Sequence, residues 1–158
     1  MNHNLFATFE KRMTERGDAP FITTREGRDY RYSDALEAVA KLAGALVALG
    51  VGPGDRVAVQ VDKSPEAILL YLASLKVGGV YLPLNTGYTS EEIRYFLGDA
   101  EPALFVCRPD SLTAAREVAA SCGGARVESL GTAADGSLME AAEAATPVIE
   151  MLERGPDD

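Results

Sequence analysis

Side chains able to do acid–base, nucleophilic or metal chemistry are few in this sequence and widely scattered. His3 is the only imidazole in 158 residues, and a Ser-His-Asp or Cys-His arrangement needs such a base held in place. Its position at the third residue puts it in a terminus expected to be mobile. Cys107 closes an apolar run and Cys122 closes a helical one, with no metal-ligand spacing around either, so both read as buried or inert thiols. Asp62-Lys63 and Glu91-Glu92 could supply proton-transfer groups. Charges that flank strands or open helices are more often solvated or complement the helix dipole. Gly50-Val51-Gly52-Pro53-Gly54 invites a phosphate-loop reading, but phosphate loops run from a strand into a helix, where N-terminal amides meet the anion. Here the glycines follow a helix and precede a strand, which suits a helix stop and a turn. The six tyrosines have no basic stripe between them and read as packing residues with polar tips.

The elements that would position these groups alternate along the chain. Residues 21–24 and 29–32 are β-prone runs around Glu26-Gly27 and read as a hairpin. Ser33 then looks like a helix N-cap, with Asp34 and Glu37 in the first turn. Leu36, Val39, Leu42, Ala43, Leu46 and Val47 recur at helical spacing up to a stop at Gly50. A turn at 52–55 leads to a strand over 56–61. Ser64-Pro65 opens a helix that is apolar almost all round and is expected between layers. Gly78-Gly79 ends it, and 80–84 form a strand whose Pro83 marks a sheet edge or a strand end. Thr89 and Glu92 make a capping box before Ile93, Tyr95, Phe96 and Leu97. The continuous apolar run 103–107 suits a buried parallel strand. A helix near 111–121, a strand near 126–128 and a capped helix from Ser137 through Glu140 complete the order. Helix and strand alternate after the hairpin, so the fold class is α/β: a layered, mainly parallel sheet with right-handed crossover helices.

Composition removes several classes of function. The net charge is −9, and residues 97–158 carry 12 acids against 4 bases, which disfavours nucleic-acid and membrane-surface binding. No stretch reaches the ~18 apolar residues that span a bilayer, and residues 1–9 lack a signal-peptide layout. A reducing, cytoplasmic setting is the expectation. Residue by residue, the sequence holds no complete catalytic constellation.

Two long motifs carry more information. Residues 75–89, Leu-Lys-Val-Gly-Gly-Val-Tyr-Leu-Pro-Leu-Asn-Thr-Gly-Tyr-Thr, with Glu92-Ile93-Arg94-Tyr95-Phe96-Leu97 and Asp99-Ala100-Glu101-Pro102 after them, closely resemble the second core motif of the AMP-forming adenylating enzymes. That superfamily comprises acyl-CoA synthetases, peptide-synthetase adenylation domains and luciferases. Tyr30-Arg31-Tyr32-Ser33-Asp34-Ala35-Leu36, followed by residues 49–57, resembles the family's first conserved stretch, in matching order and spacing. Met1-Asn2 through Leu5-Phe6, the loop 84–89 and the ending 154–158 most resemble the bacterial malonyl-CoA synthetases.

The resemblance implies a two-step ligase in which ATP and a carboxylate, here malonate, form an acyl-adenylate and pyrophosphate. Coenzyme A then takes the acyl group, with Mg²⁺ assisting the phosphates. It also implies that residues 1–152 are the N-terminal portion of the AMP-binding large domain and 153–158 a linker or truncated edge. The family's phosphate loop, aromatic-Thr-Glu segment, ribose-binding aspartate and C-terminal catalytic lysine are absent from this sequence. The 158 residues alone are therefore expected to be inactive, part of a ligase of roughly 500 residues that holds ATP, Mg²⁺ and coenzyme A elsewhere. No catalytic, cofactor-binding or metal-binding residue is assigned. Asn85, Thr86 and Tyr88 lie after a strand, where α/β sheets place ligands, yet their types suit a turn. Taken without the rest of a ligase, the helix over 65–77 is expected to leave apolar surface open to self-association. Activation of another carboxylate by an adenylating enzyme, and a stand-alone acidic α/β interaction module, are the alternatives. A regulatory nucleotide-binding α/β domain is disfavoured by the missing strand-to-helix phosphate loop.

Overall fold

A computed structural model describes residues 3–155. Met1, Asn2 and residues 156–158, which carry part of the resemblance and of the expected edge, lie outside the described residues. The chain runs α1 (Leu5–Arg16), β1 (Pro20–Thr23), β2 (Asp29–Arg31), α2 (Tyr32–Ala48), β3 (Arg56–Gln60), α3 (Pro65–Lys76), β4 (Val80–Pro83), α4 (Ser90–Ala100), β5 (Leu104–Cys107), α5 (Leu112–Ser121), β6 (Arg126–Ser129) and α6 (Ser137–Ala144). The strands β4-β3-β5-β6 form one parallel sheet in that order, while β1 and β2 pair antiparallel as a separate hairpin. The fold is α/β, as the alternation requires.

Strand periodicity sorts side chains between two layers. Val57, Val59, Leu104 and Val106 face a core built with α1, α2, α3 and α6, centred on Leu42, Leu46, Leu69 and Leu70. Ala58, Phe105, Cys107 and Val127 face the opposite core, built with α4 and α5 through Ile93, Leu97, Ala115 and Val118. Strand β5 is buried on both faces, which accounts for its unbroken apolar run. Pro83 ends β4, and β4 is an edge strand; its missing N–H therefore costs no ladder bond.

Four local expectations need correction. Residues 5–16 form a helix that the sequence reading leaves without structure: only Phe6 and Met13 of α1 are buried, so its apolar stripe is thin. The α2 helix begins at Tyr32, and its N-terminal end is satisfied by Asp34, whose Oδ2 accepts from the Arg31 N–H at 3.0 Å. Ser33 instead donates to Asp18 Oδ1 at 2.9 Å, tying the helix to the turn after α1. Ser137 likewise follows the N-cap Gly136, and its Oγ accepts from the Ser129 N–H at 2.9 Å. Finally, α3 is not buried all round, because Ile68 is 47% exposed and lines an apolar groove with Ile22, Tyr71 and Tyr81.

The two ends of the described residues meet. Asn4 caps α1 through the Phe6 N–H and donates from Nδ2 to Leu75 O at 2.9 Å and Leu152 O at 3.1 Å. The His3 N–H donates to Arg154 O at 3.0 Å, so the expected mobile terminus is tied to the far end of the described chain. Gly44 lets this segment approach α2, since a Cβ there would collide with the Thr146 carbonyl.

Candidate functional site

The residues singled out for chemistry are not brought together. His3 is exposed. Cys107 is fully buried, and burial pushes its thiol up to about 11, which keeps it protonated and non-nucleophilic near neutral pH. Cys122 is half-buried and donates to Val118 O at 3.0 Å. Among the described residues no group of three or more His, Cys, Asp or Glu could hold a metal ion. The glycines at 50–54 spend their amides internally: Gly52 N–H donates to Asp55 Oδ2 and Gly54 N–H to Gly78 O, both at 2.8 Å. They form a helix stop and turn, not a phosphate cradle. Glu91 pairs with Arg94 on the surface. Glu92 accepts from the Thr89 N–H at 2.8 Å, and this bond, with the Thr89 hydroxyl, holds its carboxyl below the usual range.

Two buried charge clusters escape the sequence reading. Glu66, in the first turn of α3, is 0% exposed. It accepts from Arg28 at 2.6 and 3.4 Å and from the Tyr30 hydroxyl at 2.5 Å, while Arg28 also donates to Thr132 O at 2.7 Å. Burial, and then the Glu66 bond, push the Tyr30 hydroxyl up to about 12. This cluster joins the hairpin, α3 and the loop before α6. Lys76, 3% exposed, donates to Glu10 Oε1 at 2.9 Å and Ile149 O at 3.0 Å and lies over the Phe6 ring. Every donor and acceptor in both clusters serves the fold. A single acid or base at the end of an apolar helix is explained equally well by the helix dipole, which is why neither stands out in the sequence.

A larger cavity of about 650 Å³ lies between α2 and α6, lined by Asp34, Glu37, Lys41, Asp135, Glu140 and Glu143 among others, and a smaller polar concavity lies at the C-terminal ends of the sheet strands. From β3 the chain crosses to β4 on one side, and from β4 it returns past β3 to β5 and β6; this reversal is where open α/β sheets leave a ligand crevice. A cavity of about 120 Å³ occupies it, lined by Gln60, Tyr88, Ser90, Phe105, Arg108 and Ser111 among others. Gln60 Nε2 donates to Asn85 O at 2.9 Å and Tyr88 O at 3.4 Å. Asn85 Oδ1 accepts from Gly87 N–H at 2.8 Å, and Tyr88 stacks on Phe96 with centroids 5.0 Å apart. Asn85 and Tyr88 therefore act as turn and packing residues, and Thr86 is exposed on the same turn. Gln60 and Arg108 went unnoticed in the sequence, one as the last polar residue of a strand and the other as the first residue after one.

With this geometry in hand, the likeness to known proteins is specific. The model of the AMP-binding enzyme family matches residues 9–154. Crystalline apo MatB from Rhodopseudomonas palustris superposes on 100% of the chain at a TM-score of 0.92 and 43% sequence identity, over 31% of its own chain. A probable CoA ligase, CCL9 of Humulus lupulus, is 33% identical over 118 residues, 75% of this chain and 22% of its own length. Tyrocidine synthase 3 of Brevibacillus parabrevis is 35% identical over 106 residues, 67% of this chain and 2% of its own length. The chain thus spans less than a third of each.

Proposed function

Because this chain belongs to the AMP-binding enzyme family, we propose that it forms the N-terminal portion of an ATP-dependent acid–CoA ligase whose acid is malonate. The observation that carries the reading is the 43% identity with MatB over the whole chain, beside the motifs at residues 30–36, 49–57 and 75–102. The narrowing to malonate rests on the resemblance of the 84–89 loop and the flanking segments to malonyl-CoA synthetases. ATP use agrees with an ATP-bound form of MatB that matches the whole chain at a TM-score of 0.90. Coenzyme A, Mg²⁺ and a cytoplasmic site of action belong to the same proposal.

The residues described here do not fit the phosphates of ATP or a Mg²⁺ ion. The glycine amides at 52 and 54 are satisfied by Asp55 and Gly78, the cavity at the strand ends is too small for a triphosphate at about 120 Å³, and the larger one between α2 and α6 sets five carboxylates, Asp34, Glu37, Asp135, Glu140 and Glu143, against one Lys41, which repels phosphates. In this reading residues 1–152 are scaffold of the large domain and take no chemical step. The apolar groove beside Ile68 supports self-association of the chain taken alone, which sedimentation at several concentrations tests. A monomer throughout would remove that part.

The test of the ligase reading is malonate- and coenzyme A-dependent AMP release, measured on the full-length protein and on the 158 residues side by side. Activity in the full-length protein alone is expected. AMP release with a different acid would keep the ligase and discard malonate, and aminoacyl-adenylate formation would favour the peptide-synthetase reading that the 35% identity with tyrocidine synthase 3 supports. AMP release by the 158 residues alone would overturn the scaffold assignment.

A further inference from the structure

Two surfaces of the chain complement each other without touching. Helix α1 carries Leu5, Phe9, Arg12 and Arg16 at intervals of four, three and four residues, which sets them on one stripe of the helix. The residues α1 buries are Phe6 and Met13, and the Glu10–Lys76 pair holds it on α3, so the stripe faces out. Leu5 is 52% and Phe9 37% exposed, and both arginines are exposed. Arg12 pairs with Glu15 one turn on, a surface pair that other anions replace at little cost. The second surface is the groove of about 650 Å³ between α2 and α6. Buried Leu42 and Ala142 form its floor with Ala38 and Met139. Five exposed carboxylates rim it, Asp34 and Glu37 from α2 and Asp135, Glu140 and Glu143 from α6 and the turn before it. Lys41 bridges Glu37 and Glu143 at 3.4 Å each and leaves the rim with a clear excess of negative charge.

We propose that the α1 stripe of one copy of this chain seats in the α2/α6 groove of a second copy. No residue of the stripe lines the groove of its own chain, and α1 is fixed on α3 by the Glu10–Lys76 pair, so the match is made between copies. A groove between helices takes a further helix through anchors at i, i+4 and i+7, the spacing of Leu5, Phe9 and Arg12. The lengths agree: the stripe runs about 16 Å along α1 and the groove about 12 Å along α2 from Asp34 to Leu42, at ~1.5 Å per residue. Leu5 and Phe9 cover the apolar floor, while Arg12 and Arg16 meet the carboxylates that Lys41 leaves uncompensated. The net charge of −9 opposes the approach of two copies, and a single helix stripe buries less than a standard interface, so the contact is a transient one. It is separate from the groove beside Ile68 and does not rest on the ligase reading.

Sedimentation velocity of the chain over a concentration series, with two charge-reversed variants, tests the contact. Arg12→Glu with Arg16→Glu, and Glu140→Lys with Glu143→Lys, are each expected to weaken self-association at least about tenfold. An equimolar mixture of the two is expected to restore it, because the contact joins unlike patches: the first variant keeps the groove and the second keeps the stripe. All four positions are exposed, and Lys41 retains Glu37 when Glu143 is changed; circular dichroism checks each fold. Leu5→Ser with Phe9→Ser, which leaves the charge alone, is expected to weaken association as well. A chain that stays monomeric would overturn the proposal, as would association unchanged in both charge-reversed variants or a mixture no more associated than its components. Association lost in Ile68→Ser and kept in Arg12→Glu with Arg16→Glu would overturn it in favour of the groove beside Ile68. Saturable binding of added oligolysine by a chain that remains monomeric would overturn it in favour of a basic partner of another kind.

Discussion

The two faces of the sheet are held by different means. On one face, α4 and α5 lie over a small core of aliphatic residues around Phe105, and their local chemistry is near in sequence: the Thr89–Glu92 box, the Arg94–Glu91 pair and the Tyr88–Phe96 stack. On the other face, α1, α2, α3 and α6 cover a larger core, and two buried charges reach across it to partners far away in the chain. Glu66 meets Arg28 and Tyr30, and Lys76 meets Glu10 and Ile149. The first face also has long-range ties, Arg56 to Ala100 O and Arg94 to Ser121, but no buried charge among the described residues, whereas the second is clasped by two buried charges that close the hairpin and the C-terminal segment onto the helices. A buried ion pair of this kind is sensitive to loss of one partner, because the other is left charged and uncompensated.

The largest expected effect follows from that asymmetry. Glu66→Ala leaves Arg28 and Tyr30 without their acceptor and should cost about 3 kcal/mol, the lower end for a broken buried pair, since Arg28 is one-third exposed. Urea unfolding would read it, and an unchanged midpoint would show that the clasp contributes nothing. Adding Arg28→Met and Tyr30→Phe should restore part of the loss, because the stranded polar groups are then gone as well. A triple variant no more stable than Glu66→Ala would assign the loss to packing alone.

Gly44→Ala probes the same face without touching charge. Alanine is the better helix former by about 1 kcal/mol, so on an exposed helix face this change would stabilise. Here the added Cβ meets the Thr146 carbonyl, and a net loss of about 2 kcal/mol is expected from overpacking. Thermal melting would read it, and a raised Tm would mean that the 145–155 segment does not press on α2. On the opposite face, Thr89→Ala removes only a local cap and should cost about 1 kcal/mol. That smaller value sharpens the contrast between the faces, and a loss as large as that of Glu66→Ala would erase it.

What could be read from the sequence follows the same division. The α4 cap, the β5 run and the Gly50 stop depend on residues a few positions apart, so periodicity and capping rules reach them. The family likeness also lies in contiguous motifs. Glu66 was hidden because its partners stand 36 and 38 residues away, and nothing in the sequence ties Arg28 to α3. The α1 helix was hidden because two buried residues in twelve make a weak period, although Asn4 is a fair N-cap. Gln60 stands out only when the strand order is known, since the reversal between β3 and β5 makes the end of β3 a crevice wall.

The remaining expected effect is a pH dependence confined to alkaline solution. The Tyr30 hydroxyl is raised from 10.0 to about 12, first by burial and then by its bond to Glu66. The folded chain therefore holds this proton more tightly than the unfolded chain. The contribution to stability is complete below pH 10 and declines as the pH rises from about 10 to about 12, where the unfolded state releases the proton and the folded state does not. Tyr30→Phe should flatten that alkaline decline while lowering stability at neutral pH through the lost hydrogen bond to Glu66. Urea midpoints collected from pH 8 to about 12 would separate the two parts. A decline of unchanged steepness in Tyr30→Phe would move the alkaline sensitivity to another group and leave the Glu66 clasp as a tie between Arg28 and α3 alone.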